Sequence, residues 1–194
     1  MTASRPAGAD DRKRRLRDIV ACKSLSIGPE VTLASGAKSR FYFNMKPTMF
    51  DPEGALLIAD LILDAIANDP PYDYVGGMEI GAVPIAACVA MRSSQRGRPI
   101  PAFFVRKQAK DHGAKKLIEG DIRAGMRVLV LEDVTTTGGS ALKAIAALRD
   151  AGAVVSKVIT LVDRLEGAAK TMIAHGLDLV PLLTADDFNL ERSS

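Results

Sequence analysis

The 194-residue sequence contains only two cysteines, Cys22 and Cys88, and aromatic residues make up 5% of the chain. Two cysteines cannot build the disulfide framework of a small secreted domain, so we expect both thiols to stay reduced and to be buried as small hydrophobic groups. No apolar run reaches the length of a membrane span, and residues 1–18 include no apolar core of a signal peptide. These absences predict a soluble, cytoplasmic protein with no membrane contact.

Neither sign of charge dominates the chain, because 26 lysines and arginines stand against 23 acidic residues. The basic residues cluster only at residues 12–17 and 106–116, so the composition predicts no nucleic-acid partner. A solvated helix face explains the first cluster better than a nucleic-acid or membrane surface does. With 47% hydrophobic residues, the chain is long enough for one well-filled core and short for two. We therefore expect a single domain over residues 1–194.

Hydrophobic periodicity separates an N-terminal segment, residues 1–50, from an α/β core at residues 51–185. The N-terminal segment is predicted to hold a helix that ends near residue 22, followed by a β-hairpin with strands at 31–33 and 40–43. The core is predicted to alternate helices with strands at 73–78, 101–105, 127–131, 154–162 and 177–183. This alternation is typical of a mostly parallel sheet flanked by helices.

Four polar or glycine-rich loops directly follow predicted strands of this sheet. They are residues 76–84, 106–120, 132–140 and 163–164. Ligands of parallel α/β sheets bind beyond the carboxyl ends of the strands. The topology alone therefore predicts that the four loops meet at one edge and form a single site.

The most informative stretch is RVLVLEDVTTTGGS at residues 127–140. Its apolar part predicts a strand at 128–131 that is buried on both faces. Two acids, Glu132 and Asp133, follow, and then come three threonines, two glycines and a serine before a predicted helix at 141–149. The stretch differs from a Walker A loop, because no lysine follows the glycines, and it contains no GxGxxG fingerprint of dinucleotide binding.

The residues after the two acids have the features of a phosphate site. Backbone N–H groups and hydroxyls of residues 135–140 can turn toward one anion at the start of the helix. Gly138 and Gly139 let the main chain approach that anion without a Cβ in the way. The alternative is a tight turn with an N-cap serine, although such a turn requires neither paired acids nor three threonines. The stretch predicts a phosphate site with a cation or hydroxyl site beside it.

Two further segments leave alternatives open. Phe41, Tyr42 and Phe43 are consecutive, so the alternation of a strand cannot bury all three on one face. An aromatic minicore and contact with a planar ring are both consistent with this pattern, and the ring contact is favoured for Phe43. Residues 106–116 carry five cationic residues, a histidine and no apolar spacing. Composition does not decide between a solvated loop and a mobile catalytic loop.

The acid pair followed by V-x-T-T-G-x-S resembles the 5-phosphoribosyl 1-diphosphate (PRPP) motif of type I phosphoribosyltransferases. Over nearly the whole chain, the segments SGAKSRFYFN, GGMEIGAVPIA, FVRKQAKDHG, LEDVTTTGGS and VDR resemble orotate phosphoribosyltransferases in order and spacing. The resemblance implies the type I fold with an N-terminal hood, PRPP and orotate as substrates, and orotidine 5′-phosphate as product. It also implies a homodimer whose flexible loop reaches the partner's site, and Mg²⁺ held mainly through PRPP and water.

The resemblance implies roles for individual residues. Catalysis falls to two loop residues and the acid pair, namely Lys110, His112, Glu132 and Asp133. PRPP is contacted by the loop cations, by the acid pair on its ribose hydroxyls and by the residues that follow: Arg106, Lys107, Lys110, His112, Glu132, Asp133, Val134, Thr135, Thr136, Thr137, Gly138, Gly139 and Ser140. Orotate is contacted by an aromatic ring, a hydroxyl and two cations: Phe43, Thr136, Arg164 and Lys38.

Other functions fit parts of this pattern. The PRPP motif alone is consistent with transfer to uracil or to a purine, and R-K-x-x-K-x-H-G is the segment that favours orotate. A PRPP-binding regulator of RNA or DNA is a further alternative, but an effector site needs no catalytic loop. Ala34 and Gly81 stand where some bacterial relatives carry lysine, and Lys38 is a candidate for the missing charge. An exposed ion pair between Asp163 and Arg164 is the alternative to an orotate clamp.

Overall fold

The computed structural model describes residues 8–32, 38–108 and 116–190, and it gives only the backbone for 29–32 and 38–39. The N-terminal segment contains two helices and a hairpin: α1 (Ala9–Lys23), β1 (Leu25–Thr32), β2 (Lys38–Phe43) and α2 (Lys46–Met49). The core contains α3 (Pro52–Ala65), β3 (Tyr74–Met78), α4 (Ala82–Gln95), β4 (Ala102–Val105), β5 (Ile118–Glu119), β6 (Val128–Thr135), α5 (Gly139–Asp150), β7 (Lys157–Asp163), α6 (Ala168–Ala174) and β8 (Asp178–Thr184). A 3₁₀ turn, Ala185–Phe188, follows the last strand.

The core is built on a six-stranded sheet with the order β5-β4-β3-β6-β7-β8. Strands β4, β3, β6, β7 and β8 run parallel, and only the two-residue β5 is antiparallel to its neighbour β4. β1 and β2 form a separate antiparallel hairpin. This architecture confirms the predicted α/β fold class with a hairpin in the N-terminal segment.

Strand β6 lies in the middle of the sheet and is buried on both faces, as its unbroken apolar run predicts. Leu129 and Leu131 pack into one hydrophobic cluster with α3 and α4. Val128 and Val130 alternate with them and pack into a second cluster with α5. The alternation of side chains along a strand thus supplies both layers of the core from one short segment.

Local signals set the helix boundaries. Asp51 caps α3 by accepting the N–H of Gly54 at 2.9 Å, and Pro52 occupies the first helical position. The helix ends at Ala65. In α1 the predicted apolar side is buried, but Cys22 lies outside it and is exposed. The expectation of a buried Cys22 is therefore wrong, whereas Cys88 is half-buried.

Three strands differ from their predicted bounds by more than two residues. β6 continues to Thr135, so the acid pair lies inside the strand and not in the loop after it. β7 begins only at Lys157, because Val154 makes just an isolated bridge to Arg127. β1 begins at Leu25, and its register shifts between Ile27 and Val31, where a glycine and a proline interrupt regular pairing. None of the helices in the described ranges is long and apolar enough to cross a membrane.

Candidate active site

The carboxyl ends of β3, β4, β6 and β7 meet at one edge of the sheet because these strands are parallel. Hydrogen bonds join the segments that follow them. The backbone N–H of Lys107 donates to Oε1 of Glu79 at 2.9 Å, and the N–H of Arg164 donates to the carbonyl of Thr135 at 2.9 Å. The predicted convergence of the four loops at a single edge is confirmed.

The acid pair stands at the end of β6 and is largely removed from water. Glu132 is 8% exposed, and burial together with the charge of Asp133 raises the pKa of Glu132 to about 8. Interaction with the Ser140 hydroxyl and the charge of Lys107 act in the opposite direction. Burial also raises the pKa of Asp133, although the N–H of Val134 donates to its Oδ1 at 2.9 Å. Both acids therefore favour a ligand that is cationic or donates hydrogen bonds, because such a ligand replaces the stabilisation that water gives to a carboxylate.

Two local features point to such a ligand. Oε2 of Glu132 is buried and has no hydrogen-bond partner among the described residues, and buried acceptors are normally satisfied. Gly81 lies so close to the acid pair that an added Cβ would be 2.6 Å from Oδ1 of Asp133. The β3–α4 turn, which also contains the cis peptide bond between Glu79 and Ile80, thus forms one wall beside Asp133.

The turn from β6 into α5 has the geometry of an anion site. Gly138 is the N-cap at φ 86°, a left-handed conformation that favours glycine, and no side chain caps the first N–H groups of α5. Thr137, Gly139 and Ser140 are exposed there. The alternative of an N-cap serine is wrong, because Ser140 lies within the helix. Free N–H groups and the positive end of a twelve-residue helix favour a phosphate at this place.

Thr135 differs from the threonines that follow it. Its side chain is buried and its hydroxyl donates to Oδ1 of Asp163 at 3.2 Å. Thr135 thus links the end of β6 to the end of β7. The contact of Thr135 with PRPP stays a prediction, and in this arrangement the backbone of Thr135 would make it. Thr136 is half-buried, and its carbonyl accepts the N–H of Ala168 at 3.1 Å.

Arg106 and Lys107 begin the predicted catalytic loop. Nε and Nη2 of Arg106 both donate to Oε1 of Glu119, at 3.0 and 2.9 Å, and its guanidinium lies 5.3 Å from the centroid of the Phe104 ring. A cavity of about 480 Å³ opens beside them and is also lined by Ser140 and Lys143. Two cations therefore line this cavity, and their contact with PRPP stays a prediction. Lys110 and His112, to which the sequence analysis assigned catalytic roles, lie outside the described residues.

Arg164 occupies the end of β7 and is only 3% exposed. Its Nη2 lies 2.8 Å from Oε1 of Glu166, and its guanidinium carbon lies 4.7 Å from the centroid of the Phe41 ring. Asp163 is 2% exposed and accepts the N–H of Leu165 at 3.0 Å. The alternative of an exposed Asp163–Arg164 pair is therefore wrong.

The three consecutive aromatic residues alternate between buried and exposed positions, as expected for a strand. Tyr42 is 51% exposed, whereas Phe43 is 4% exposed and packs between Phe41 and Phe188, with ring centroids 5.9 and 5.2 Å away. The aromatic minicore is thus present, and contact of Phe43 with orotate stays a prediction. Lys38 pairs with Thr32 along the backbone of the hairpin, and its side chain lies outside the described part.

The chain is similar to known proteins over most of its length. Residues 51–174 match the family model of the phosphoribosyl transferase domain. An orotate phosphoribosyltransferase of Bradyrhizobium sp. strain BTAi1 is 56% identical over 180 residues, which cover 91% of this chain and 96% of that protein. One of Sorangium cellulosum is 46% identical over 184 residues, covering 94% of this chain and 95% of that protein. The chain belongs to the orotate phosphoribosyltransferase family.

Solved structures of this phosphoribosyltransferase family agree with the fold. Orotate phosphoribosyltransferase of Mycobacterium tuberculosis in complex with PRPP has a TM-score of 0.76 at 37% identity, covering 92% of this chain and 99% of that one. The enzyme of Aeropyrum pernix has a TM-score of 0.74 at 32% identity, covering 88% of this chain and 95% of that one. The described architecture is thus the type I phosphoribosyltransferase fold with its N-terminal segment.

Three side chains at this phosphoribosyltransferase site were not predicted from the sequence. Glu79 anchors the backbone of Lys107, and Glu119 holds Arg106. Lys46 lies near enough to Asp133 for its charge to oppose the rise in the pKa of that acid. Glu79 stands within a glycine-rich loop that the sequence analysis did single out, so its position was a usable signal. No motif or periodicity distinguishes Lys46.

Proposed function

We propose that this chain transfers the 5-phosphoribosyl group of PRPP to orotate and releases orotidine 5′-phosphate and pyrophosphate, a step of pyrimidine biosynthesis. The bond from the anomeric carbon of the ribose to pyrophosphate breaks, and a bond from that carbon to a ring nitrogen of orotate forms. The observation that carries the choice of base is the buried guanidinium of Arg164 at the same sheet edge as the acid pair and the phosphate turn. Orotate differs from uracil by one carboxylate, and a guanidinium is its natural partner.

PRPP is held at three places along this edge, through its 5-phosphate, its ribose hydroxyls and its pyrophosphate. Its 5-phosphate binds at the turn formed by residues 136–140, where N–H groups at the start of α5 and exposed hydroxyls converge. Its ribose hydroxyls donate to Glu132 and Asp133, filling the acceptor capacity that burial leaves open. As the bond to pyrophosphate breaks, positive charge grows on the ribose and favours the ionised form of both acids.

Negative charge on the departing pyrophosphate is met by cations. Arg106 and Lys107 stand at the cavity beside the acid pair, and Lys110 and His112 follow in the sequence. Cations held in a water-excluded site stabilise such charge more strongly than they do in water. Arg106 starts from a pair with Glu119, so pyrophosphate competes with that carboxylate for the guanidinium.

Orotate lies between the phosphate turn and the N-terminal segment. Its carboxylate pairs with Arg164, Thr136 approaches the base from the other side, and Phe43 and Lys38 complete the contacts inferred from the sequence. The ring nitrogen of orotate is weakly acidic, so the reaction does not require a dedicated strong base.

Magnesium is part of the proposal. The described residues include no group of three or more His, Cys, Asp or Glu side chains that could hold a metal ion. Mg²⁺ commonly keeps several waters and binds through substrate phosphates, so PRPP and water would supply most of its ligands here. Bound with PRPP, the ion shares the charge of the pyrophosphate. A homodimer with loop residues shared between subunits, and a cytoplasmic location, complete the proposal.

The function is tested at Arg164. Arg164→Ala is expected to raise the KM for orotate on the order of 100-fold, since a charged hydrogen-bonded pair contributes about 1.5–3 kcal/mol, and to leave the KM for PRPP nearly unchanged. Arg164→Lys recovers only part of the loss, because an ammonium cannot form two parallel bonds to a carboxylate. Orotate consumption is followed spectrophotometrically in the presence of PRPP and Mg²⁺. The same assay is run with uracil and with purines in place of orotate. Turnover with another base, or PRPP binding without turnover, contradicts the proposed function.

A further inference from the structure

Arg164, which directly follows β7, is contacted by three parts of the chain. Nη2 of the guanidinium lies 2.8 Å from Oε1 of Glu166, and the guanidinium carbon lies 4.7 Å from the centroid of the Phe41 ring. The backbone N–H of Arg164 donates to the carbonyl of Thr135 at 2.9 Å. Glu166 itself is half-buried. A side chain with a carboxylate on one side and an aromatic face on another has little freedom to rotate.

The backbone between Arg164 and Glu166 adopts an uncommon conformation. Leu165 has φ 60°, a left-handed value that is rare for a residue other than glycine. The turn is fixed by Asp163, whose Oδ1 accepts the N–H of Leu165 at 3.0 Å and the hydroxyl of Thr135 at 3.2 Å. Such conformations persist where the surrounding structure holds them, and they are concentrated at binding sites. The turn therefore fixes how Glu166 faces Arg164.

We propose that Glu166 is a positioning residue that orients Arg164 for the carboxylate of orotate. The inference rests on the proposed function, in which Arg164 binds that carboxylate. A guanidinium presents its five N–H donors in one rigid plane, so fixing one of its nitrogens fixes the direction of the others. Glu166 also balances the charge of the buried Arg164 in the absence of orotate. A side chain aligned before the substrate arrives loses less freedom on binding.

Repulsion between Glu166 and orotate would have the opposite effect on orotate binding. A second carboxylate beside Arg164 repels the carboxylate of orotate, so its removal strengthens orotate binding if repulsion dominates. The positioning role predicts weaker binding instead. Glu166→Gln separates the two contributions, because glutamine keeps an acceptor oxygen of similar reach and removes the charge.

The test is a double-mutant cycle on steady-state kinetics with Glu166→Ala, Arg164→Ala and the double variant. Glu166→Ala is expected to raise the KM for orotate about tenfold, the effect of losing one hydrogen bond to a charged group, with kcat and the KM for PRPP changed less than about threefold. In the Arg164→Ala background the same substitution adds nothing, because Glu166 acts through Arg164. Glu166→Gln retains most of the orotate affinity. Glu53→Ala, which removes the exposed partner of Arg15, is the matched control and leaves the kinetics unchanged.

Each outcome decides the matter. An unchanged or lower KM for orotate in Glu166→Ala, or losses that add in the double variant, overturns the positioning role. An unchanged KM for orotate in Arg164→Ala overturns the proposed clamp itself, so the two failures are distinguishable. Thermal unfolding checks each variant. If Glu166→Ala unfolds, Glu166→Gln replaces it in the cycle, and if Arg164→Ala unfolds, Arg164→Gln replaces it. A rise in KM on changing Glu166 that disappears when Arg164 is also changed supports the proposal.

Discussion

Single residues at this site carry charges that the fold has removed from water. Glu132 is the clearest case, because burial and the neighbouring Asp133 raise its pKa to about 8. Burial thus favours the protonated form of Glu132 in the ligand-free protein. Binding of a cation or of a ribose with growing positive charge favours the ionised form. The acid is thus poised to change its charge with the state of the substrate.

The raised pKa of Glu132 predicts how stability depends on pH. The unfolded chain releases this proton near the ordinary glutamate pKa of about 4.3, whereas the folded chain retains it to about 8. Between these values the folded state holds more protons, so stability falls as pH rises by up to about 1.4 kcal/mol per pH unit. Glu132→Gln mimics the protonated acid, so the gain in Tm of the ligand-free variant over the parent should be small near pH 5 and larger near pH 8.5.

Thermal unfolding of ligand-free protein between pH 5 and pH 8.5 measures this difference. Glu53→Gln is the control, because hydrogen bonding to Arg15 lowers the pKa of Glu53 and its removal gives no gain at high pH. Parallel curves for Glu132→Gln and the parent would mean that Glu132 ionises normally in the folded protein.

At the scale of elements, the β3–α4 turn and the end of β6 form one unit. Gly81 has φ −57° and ψ −45°, which any residue adopts, so its backbone tolerates alanine. The added Cβ would nevertheless lie 2.6 Å from Oδ1 of Asp133. Gly81→Ala must therefore displace the Asp133 carboxylate from its observed position.

Gly81→Ala is expected to lower kcat/KM for PRPP about tenfold or more, since small misplacements of a site group are costly for catalysis. Gly28→Ala, whose Cβ meets nothing within 4 Å, is the matched control for the loss of a glycine. Full activity of Gly81→Ala would show that the position of Asp133 relative to Gly81 is not critical.

The sequence predicts the order of these elements but not their ends. The apolar run at 128–131 identifies the centre of β6, yet the strand continues through the acids because β7 pairs with it as far as Thr135 and Asp163. β5 was missed for the same reason, since Ile118 and Glu119 form a strand only by pairing with β4. Local composition determines where a strand is buried, whereas the partner strand determines where it stops.

In the candidate site, too, some features follow from the local sequence and others depend on tertiary contacts. The motif at residues 127–140 predicted the acid pair and the phosphate turn from local sequence, and the topology placed Arg164 at the same edge. Arg164 and Phe41 are in contact although they lie 123 positions apart in the sequence. Such contacts, like that of Glu79 with Lys107, arise from the packing of the N-terminal segment and the loops on the sheet. No spacing in the sequence encodes them.

At the scale of the whole molecule, several large apolar side chains remain on the surface. Phe50, Leu56, Ile80 and Met91 are all exposed, and they come from the α2–α4 region. Exposed apolar groups of this size favour association when they form a shared surface. A homodimer interface on this region would bury these side chains.

Subunit mixing tests whether the site is shared. Lys110→Ala and Asp133→Asn are each expected to be nearly inactive, because one lacks the loop cation and the other the acid beneath the ribose. In a hybrid dimer with a crossing loop, one site combines the intact Lys110 of one chain with the intact Asp133 of the other. At equal amounts, half of the dimers are hybrids with one good site of two, so activity recovers to about a quarter of the parental value. Mixing Lys110→Ala with the double variant is the control that forms no intact site. Inactive mixtures in which mass spectrometry demonstrates subunit exchange would place Lys110 and Asp133 of one chain in the same site.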